Sequence, residues 1–317
     1  MVWSMRNYDL CLTWNWEYDA DFVKLLNLAC QSHGLSFLQI TPENLSDMMQ
    51  SITNKEIVFQ VFFDRASDAD ARFIPVVQWA CDHVVHHINF YESARRARDK
   101  VAMHQAISVS MNTPLTIILP SYDEQPWLPA IDLTSLGESF TIKPANGGGG
   151  DGVINEATTL SQVLMARQAF ASQSYLLQSH IIPAGLGSRM AWFRVIHVAG
   201  NVYPCWWDTR THIYTRVTPS EEVCYHLGSL RSISSSIADI CGLELFSTEI
   251  AMTADGRFVV VDYVNDPIDL RLQSVTPDGV PDDIVKGITE RLAEFILMVH
   301  PSSRSSSSIP SMGAKTV

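Results

Sequence analysis

Lys143 closes a short apolar run, Phe140 to Ile142, and is followed by Pro144, Ala145 and Asn146. Four glycines come next, Gly147, Gly148, Gly149 and Gly150, with a fifth at Gly152. A glycine has no Cβ, so its backbone amide can close on an anion's oxygens. A lysine just upstream adds a point charge to the same anion. The pattern points to a phosphate cradle; the alternative is a flexible surface loop. A second group lies about a hundred residues on. Glu249 interrupts an apolar strand-like run, Asp262 ends Val259, Val260 and Val261, and Asn265 and Asp266 follow. Carboxylates at the ends of neighbouring strands are hard oxygen ligands of the kind that hold Mg2+ together with a substrate's phosphates. A solvated strand end with Asn-Asp-Pro turn chemistry explains Asn265 and Asp266 equally well. It explains Glu249 poorly, because a carboxylate between Phe246 and Ile250 needs a partner.

The glycine run satisfies G-x-G-x-x-G through Gly147, Gly149 and Gly152. A dinucleotide fingerprint should end a first strand and open a helix directly. Here it lies mid-chain and leads into Val153 and Ile154, which read as another strand. No G-K-[ST] follows, so a P-loop is excluded.

The elements that must carry these groups come from hydrophobic period. Strands at 7–13, 35–40 and 56–63 alternate with helices at 20–33, from 41, and at 69–82, and 84–89 is a candidate fourth strand. This alternation predicts a small parallel sheet covered by helices. A helix over 91–108 carries Arg95, Arg98 and Lys100, and an extended segment runs over 113–120. Helices at 158–170, 219–241 and 281–298, a strand at 175–182, and hairpins over 191–208 and 246–264 complete the pattern, the first hairpin turning at Gly200-Asn201. The tail 302–317, rich in serine, is expected to be disordered.

The 317 residues suffice for two or three packed subdomains, and 46% apolar with 18% charged residues is a globular composition. The formal net charge of −12 disfavours a nucleic-acid partner. No apolar run is long enough to span a membrane, and no secretory signal is evident. Six cysteines without a C-x-x-C pair suit reduced thiols in a cytoplasmic protein.

Taken in order, Arg98-Asp99-Lys100, Pro114 and Thr116, Ile142-Lys143-Pro144, the glycine loop, Leu177-Gln178, Arg194, Glu249, Asp262 and Asn265 resemble the ATP-grasp superfamily. The match runs from about Arg95 to His300, and the alternating segment before it resembles the pre-ATP-grasp domain. The resemblance implies an α/β fold with a pre-ATP-grasp domain over 1–90 and an ATP-grasp domain over 91–301, its small lobe at about 112–180. It implies ATP and Mg2+ as cofactors, with Lys100 and Lys143 on the α- and β-phosphates and the loop 147–152 over the transferable phosphate. Gln178, Ser179, His180 and Ile181 would form the hinge against adenine, and Glu249, Asp262 and Asn265 would hold one or two Mg2+ ions. Arg194 would face the γ-phosphate or the intermediate. The implied activity is a carboxylate–amine ligase working through an acyl phosphate on small molecules, amino acids or a peptide; a phosphotransferase or a nucleotide-binding regulator are the alternatives, and a homodimer is left open. Three departures stand out. The glutamate expected two residues before Asn265 is Tyr263, so Asp262 takes that role if a bulge turns it inward. The hinge also lacks a carboxylate for adenine or ribose. Glu249 stands where the resemblance more often has an aspartate, and its longer side chain can still reach a metal.

Other residues have two readings each. Arg271 is a substrate carboxylate clamp or a salt bridge to Asp269. Trp207 and Asp208, with Trp206 and Arg210, line an acceptor pocket or simply pack. Trp14, Trp16, Tyr18 and Asp64-Arg65 lie at the sheet edge where α/β folds place ligands. His83, His86 and His87 have a spacing that could bind metal on a helix, or are structural histidines, the reading preferred because their segment reads as strand or turn.

Overall fold

A computed structural model describes residues 5–299; the serine-rich tail expected to be disordered lies outside them. The chain divides into two compact units, the first reaching Ile88 and resuming at Lys286, the second running from Asn89 to Val285. The sequence-based boundary kept the last helix wholly with the second domain, whereas its residues from Lys286 onward group with the first unit.

In the first unit, strands β1 (Arg6–Trp14), β2 (Phe37–Ile40), β3 (Ile57–Arg65) and β4 (His86–Ile88) form a parallel sheet in the order β2-β1-β3-β4. Helices α1 (Ala20–Ser32), α2 (Leu45–Thr53) and α3 (Ile74–His83) connect them. Helix α1 buries Phe22, Val23, Leu26, Ala29 and Cys30, the stripe expected from a 3.6-residue period. Helix α2 starts later than its sequence suggests, because the Asn44 side chain accepts from the Thr41 N–H at 2.8 Å and holds a turn there. Beyond β3 a buried ion pair joins Arg65 to Asp19, with contacts of 2.8 and 2.6 Å and the two side chains 3% and 2% exposed.

The second unit opens with α4 (Tyr91–Ala97) and α5 (Lys100–Ile107) in place of the one helix expected over 91–108. Asp99 makes the break: its carboxylate accepts from the N–H groups of Val101 and Ala102 at 2.9 and 3.0 Å and caps α5. Strands β5 (Thr116–Leu119), β6 (Phe140–Pro144), β7 (Ile154–Ala157) and β8 (Tyr175–Ser179) make an antiparallel sheet in the order β5-β8-β6-β7. Helix α6 (Leu160–Ala169) covers its outer face, where Phe140, Ile142, Val163, Tyr175 and Leu177 form the core. Arg167 of α6 is fully buried and donates to the carbonyls of Pro120, Ser121 and Gln125 at 2.7–3.1 Å, pinning the loop after β5.

Two short strands, β9 (Gly185–Leu186) and β10 (Arg189–Met190), precede a second antiparallel sheet. It holds β11 (Trp192–Val198), β12 (Asn201–Trp207), β13 (Tyr214–Arg216), β14 (Leu245–Met252) and β15 (Phe258–Asn265), in the order β13-β12-β11-β14-β15. The β11–β12 turn has positive φ at Ala199 and Gly200, so it sits one residue earlier than Gly200-Asn201. Instead of one helix over 219–241 there are α7 (Pro219–Cys224) and α8 (Ser229–Cys241), separated at His226, whose φ is +54°. Helix α8 packs Leu230 onto Phe193, Val195 and Ile250 of this sheet. Helix α9 (Asp282–Val299) ends the described chain.

Candidate active site

Strand pairing builds the site from β11, β14 and β15. Glu249 on β14 pairs with Arg194 on β11 and with Asp262 on β15, so the three side chains form one row across the sheet. Register shifts lie on both sides of the Glu249–Asp262 pair. Asp262 and Asn265 are three apart and would face opposite ways in a regular strand. The extra residue brings them together, and the Asn265 amide donates to Asp262 Oδ2 at 3.0 Å. Tyr263 turns the other way and is 2% exposed, in the core with Ala94, Met103 and Phe246.

Glu249 is held from two sides. Its Oε1 accepts from Arg194 Nη1 at 3.2 Å and its Oε2 from the Trp192 indole N–H at 3.0 Å. Burial pushes the Glu249 carboxyl up; Arg194 pulls it back, Asp262 pushes it further up, and the Trp192 bond and Lys143 pull it down. The net shift is upward, with burial its largest cause. Arg194 also donates to Ser247 Oγ at 3.2 Å, and its guanidinium lies 5.0 Å from the Trp207 ring centre and 6.0 Å from that of Tyr214. Burial acts to lower its pKa, but Tyr214, Glu249, Asp262 and Asp269 together leave it raised.

Two lysines complete the charge pattern. Lys100, the first residue of α5, donates from its backbone to Ala145 O at 2.8 Å and from Nζ to Gly147 O at 2.6 Å. Lys143 on β6 donates from Nζ to Val261 O, next to Asp262, at 3.3 Å. Burial lowers the Lys100 pKa, Asp262 raises it, Lys143 lowers it again and Asp99 raises it, so the lysine and acid groups sense one another. The glycine loop is exposed between them. Gly152 has a φ of +69°, and a Cβ there would come within 2.8 Å of Phe170. Strand β7 begins at Ile154, as expected, and no helix follows the loop directly.

No protein-family model and no curated protein matches the sequence. Solved structures do. A RimK-domain ATP-grasp protein from Sphaerobacter thermophilus is 15% identical, with 90% of this chain and 99% of that one covered at a TM-score of 0.61. The macrocyclase MdnC from Microcystis aeruginosa, bound with its precursor peptide MdnA, is 10% identical, covering 92% of this chain and all (100%) of that one at 0.61. The D-cycloserine synthetase DcsG is 15% identical, covering 90% and 99% at 0.58. The chain has the ATP-grasp fold.

Within this ATP-grasp fold the residues expected at the hinge lie at the end of β8 and just past it. Gln178 is 2% exposed and donates to Thr116 Oγ1 at 3.2 Å and to the Tyr263 hydroxyl at 2.9 Å; His104 Nδ1 meets the same hydroxyl at 2.5 Å. The Ser179 N–H donates to Leu115 O at 2.9 Å. Both groups are therefore committed inside the protein, while His180 and Ile181 lie in irregular chain past β8. A carboxylate does stand beside the hinge: Glu156 Oε1 is 3.8 Å from His180 Nε2. Glu156 sits at a register shift of β6–β7 with φ +56°, which its sequence position does not reveal.

The residues with two readings mostly contact neighbouring protein groups. Arg271 is held by Asp269 and Asp278, with Nη2 contacts of 2.7 and 2.9 Å. Trp207 stacks on His212, ring centres 5.4 Å apart, and against Tyr214 at 4.6 Å. Asp208 accepts from the N–H groups of Arg210 and Thr211 at 2.8 and 3.1 Å, and those bonds lower its pKa. In the first unit Asp64 accepts from the Thr13 hydroxyl at 2.8 Å and from two backbone N–H groups, and Trp14 donates to Gln39. Trp16 and Tyr18 stay exposed, in an edge-to-face pair at 5.3 Å. His83 stacks on Trp79 and His87 contacts the Val84 carbonyl. A cleft of about 470 Å³ beside α4 and α5, lined by Arg95, Arg96, Asp99 and Asn146 among others, shares none of its lining with the acid row.

The donor chemistry fits a magnesium nucleotide. Among the described residues no group of three or more His, Cys, Asp and Glu gathers into a metal site. Two carboxylates and an amide suit Mg2+ when phosphate oxygens and water complete its shell. The upward push on Glu249 by burial and by Asp262 is what a divalent cation would offset. Trp192, Ser247 and Tyr214 escaped the sequence reading. Trp192 had a signal, standing two residues before Arg194 and so on its face of the strand.

Proposed function

We propose that the protein is an ATP- and Mg2+-dependent ligase that activates a carboxylate as an acyl phosphate and joins it to an amine. The supporting observation is the row Arg194–Glu249–Asp262, flanked by Lys100, Lys143 and the glycine loop. The fold is shared with synthetases and macrocyclases, and one such ligase, PsnB, was solved with a minimal precursor, Mg and ADP. The substrate is read as a small carboxylate or a peptide side chain. The cytoplasm suits both the ATP requirement and the buried thiols of Cys11, Cys30, Cys205 and Cys241.

In this reading Lys100 and Lys143 hold the phosphates, and the N–H groups of residues 147–152 close over the terminal one. Glu249, Asp262 and Asn265 would hold Mg2+, which would neutralise charge on the transferring phosphate. The substrate carboxylate oxygen attacks the γ-phosphorus, the bond to the β-phosphate oxygen breaks, and ADP leaves. The amine nitrogen then attacks the acyl carbon; the carbon–oxygen bond to phosphate breaks, inorganic phosphate leaves, and the nitrogen gives up a proton. Arg194 offsets the negative charge on the transferring group. The rest of the site positions reactants and excludes water.

ADP release, measured across a panel of carboxylic acids with and without amines, tests the proposal. Acid-dependent release with acyl hydroxamate trapped by hydroxylamine is expected. Release with alcohols and no acid would identify a phosphotransferase; tight nucleotide binding with no release would identify a regulator.

A further inference from the structure

Both carboxylate oxygens of Glu249 accept from protein donors, Arg194 on Oε1 at 3.2 Å and Trp192 on Oε2 at 3.0 Å. Among the described residues, the Asp262 side chain accepts from the Asn265 amide alone, at 3.0 Å. Arg194 and Glu249 are 17% and 16% exposed, so their attraction is poorly screened. A guanidinium and a divalent cation cannot both sit cheaply on one carboxylate in such surroundings. Yet Arg194 is not locked to Glu249. Its guanidinium lies over Trp207 and Tyr214, at 5.0 and 6.0 Å, a platform on which a planar cation can slide while keeping its contact.

Resting on the reading of Glu249 as a metal ligand, we propose that Arg194 is an exchangeable counter-ion. It positions Glu249 until a divalent cation takes the carboxylate, and it then turns on the Trp207 and Tyr214 rings to face the nucleotide's terminal phosphate. Trp192 keeps Oε2 throughout and fixes the carboxylate plane. Two consequences follow by linkage. Arg194 weakens metal binding when no nucleotide is present. Metal and nucleotide strengthen each other, because each favours the same position of the guanidinium.

Mn2+ binding to the full chain, followed by electron paramagnetic resonance or calorimetry with and without a non-hydrolysable ATP analogue, tests this. Arg194→Met should bind Mn2+ alone about tenfold tighter than wild type and lose most of the nucleotide-linked gain in affinity. Arg194→Lys, which keeps the charge, should stay close to wild type. Unchanged or weaker Mn2+ binding by Arg194→Met overturns the exchange, as does equal tightening by Arg194→Lys. Glu249→Gln separates the two levels: if it weakens Mn2+ binding while Arg194→Met leaves it unchanged, the metal site stands and the exchange falls. If Glu249→Gln has no effect, the metal site falls with it. Should Arg194→Met not fold, a crystal structure of wild type with Mg2+ and the analogue reads the same point. Arg194 off Glu249 supports the exchange; Arg194 still hydrogen-bonded to Oε1 refutes it.

Discussion

Replacing Lys143 with methionine removes one ammonium and keeps most of the aliphatic stem. In the folded protein its Nζ makes a long bond, 3.3 Å, to the neutral Val261 carbonyl. Losing that bond costs at most about 1 kcal/mol, a shift of a few degrees in Tm for a chain of this size. The nucleotide term is larger. A hydrogen bond to a charged group contributes about 1.5–3 kcal/mol. Lys100 remains beside the phosphates, so the lower part of that range applies, and the Kd for an ATP analogue with Mg2+ should rise by about 10- to 30-fold. Calorimetric titration reads the nucleotide affinity, and a thermal melt supplies the stability control. An unchanged nucleotide Kd in a folded variant would refute the placement of the phosphates.

Glu249→Gln and Asp262→Asn should each cut Mg2+-dependent ADP release by about a hundredfold or more while circular dichroism stays that of the wild type; wild-type rates in either would move the metal elsewhere. Arg65→Met leaves Asp19 as a buried unpaired carboxylate in the first unit and should cost about 3–5 kcal/mol in urea unfolding. A loss under 1 kcal/mol, read against an estimate of about 3–5, would mean that water reaches the pair. Burial lowers the pKa of His87, His104 and His197 below the ordinary 6.5. The unfolded chain then binds more protons between the two values, so this stability is complete above pH 6.5 and is lost as pH falls toward the folded values. His197 Nε2 accepts from the Gly200 N–H at 3.3 Å, and a proton there would set donor against donor. His197→Gln should flatten the fall in Tm between about pH 7 and pH 5, and an unaltered slope would clear His197.

Much of the architecture was legible because apolar period survives folding. The alternation before residue 90 became the parallel sheet, and the 246–264 segment became the β14–β15 hairpin. Interruptions were harder to see. Apolar spacing runs straight through Arg98 and Asp99, and only the cap made by Asp99 divides α4 from α5. The break between α7 and α8 coincides with Gly228, the residue before α8, a signal that the sequence analysis did not use. In the site, the acids and lysines could be named from their types. Their partners could not, because Trp192 reaches Glu249, and Gln178 reaches Tyr263, only through strand register and long-range packing.

The Tyr263 position shows how register outranks spacing. By residue count the second acid belongs at 263, one place after where Asp262 stands. A strand turns successive side chains to opposite faces, so moving an acid by one residue should expel it from the site. The paired shifts around Glu249 and Asp262 cancel that displacement: Asp262 lies opposite Glu249, Asn265 reaches it at 3.0 Å, and the residue at 263 faces the core. A glutamate there would be buried on the core side of the sheet, away from Glu249, where the Tyr263 ring packs. Its hydroxyl then joins Gln178 and His104, tying the strand that carries Asp262 to β8 and α5. The departure from the expected pattern and the bulge are thus one structural fact, in which the face of the sheet, not the position in the chain, decides which side chain meets Glu249.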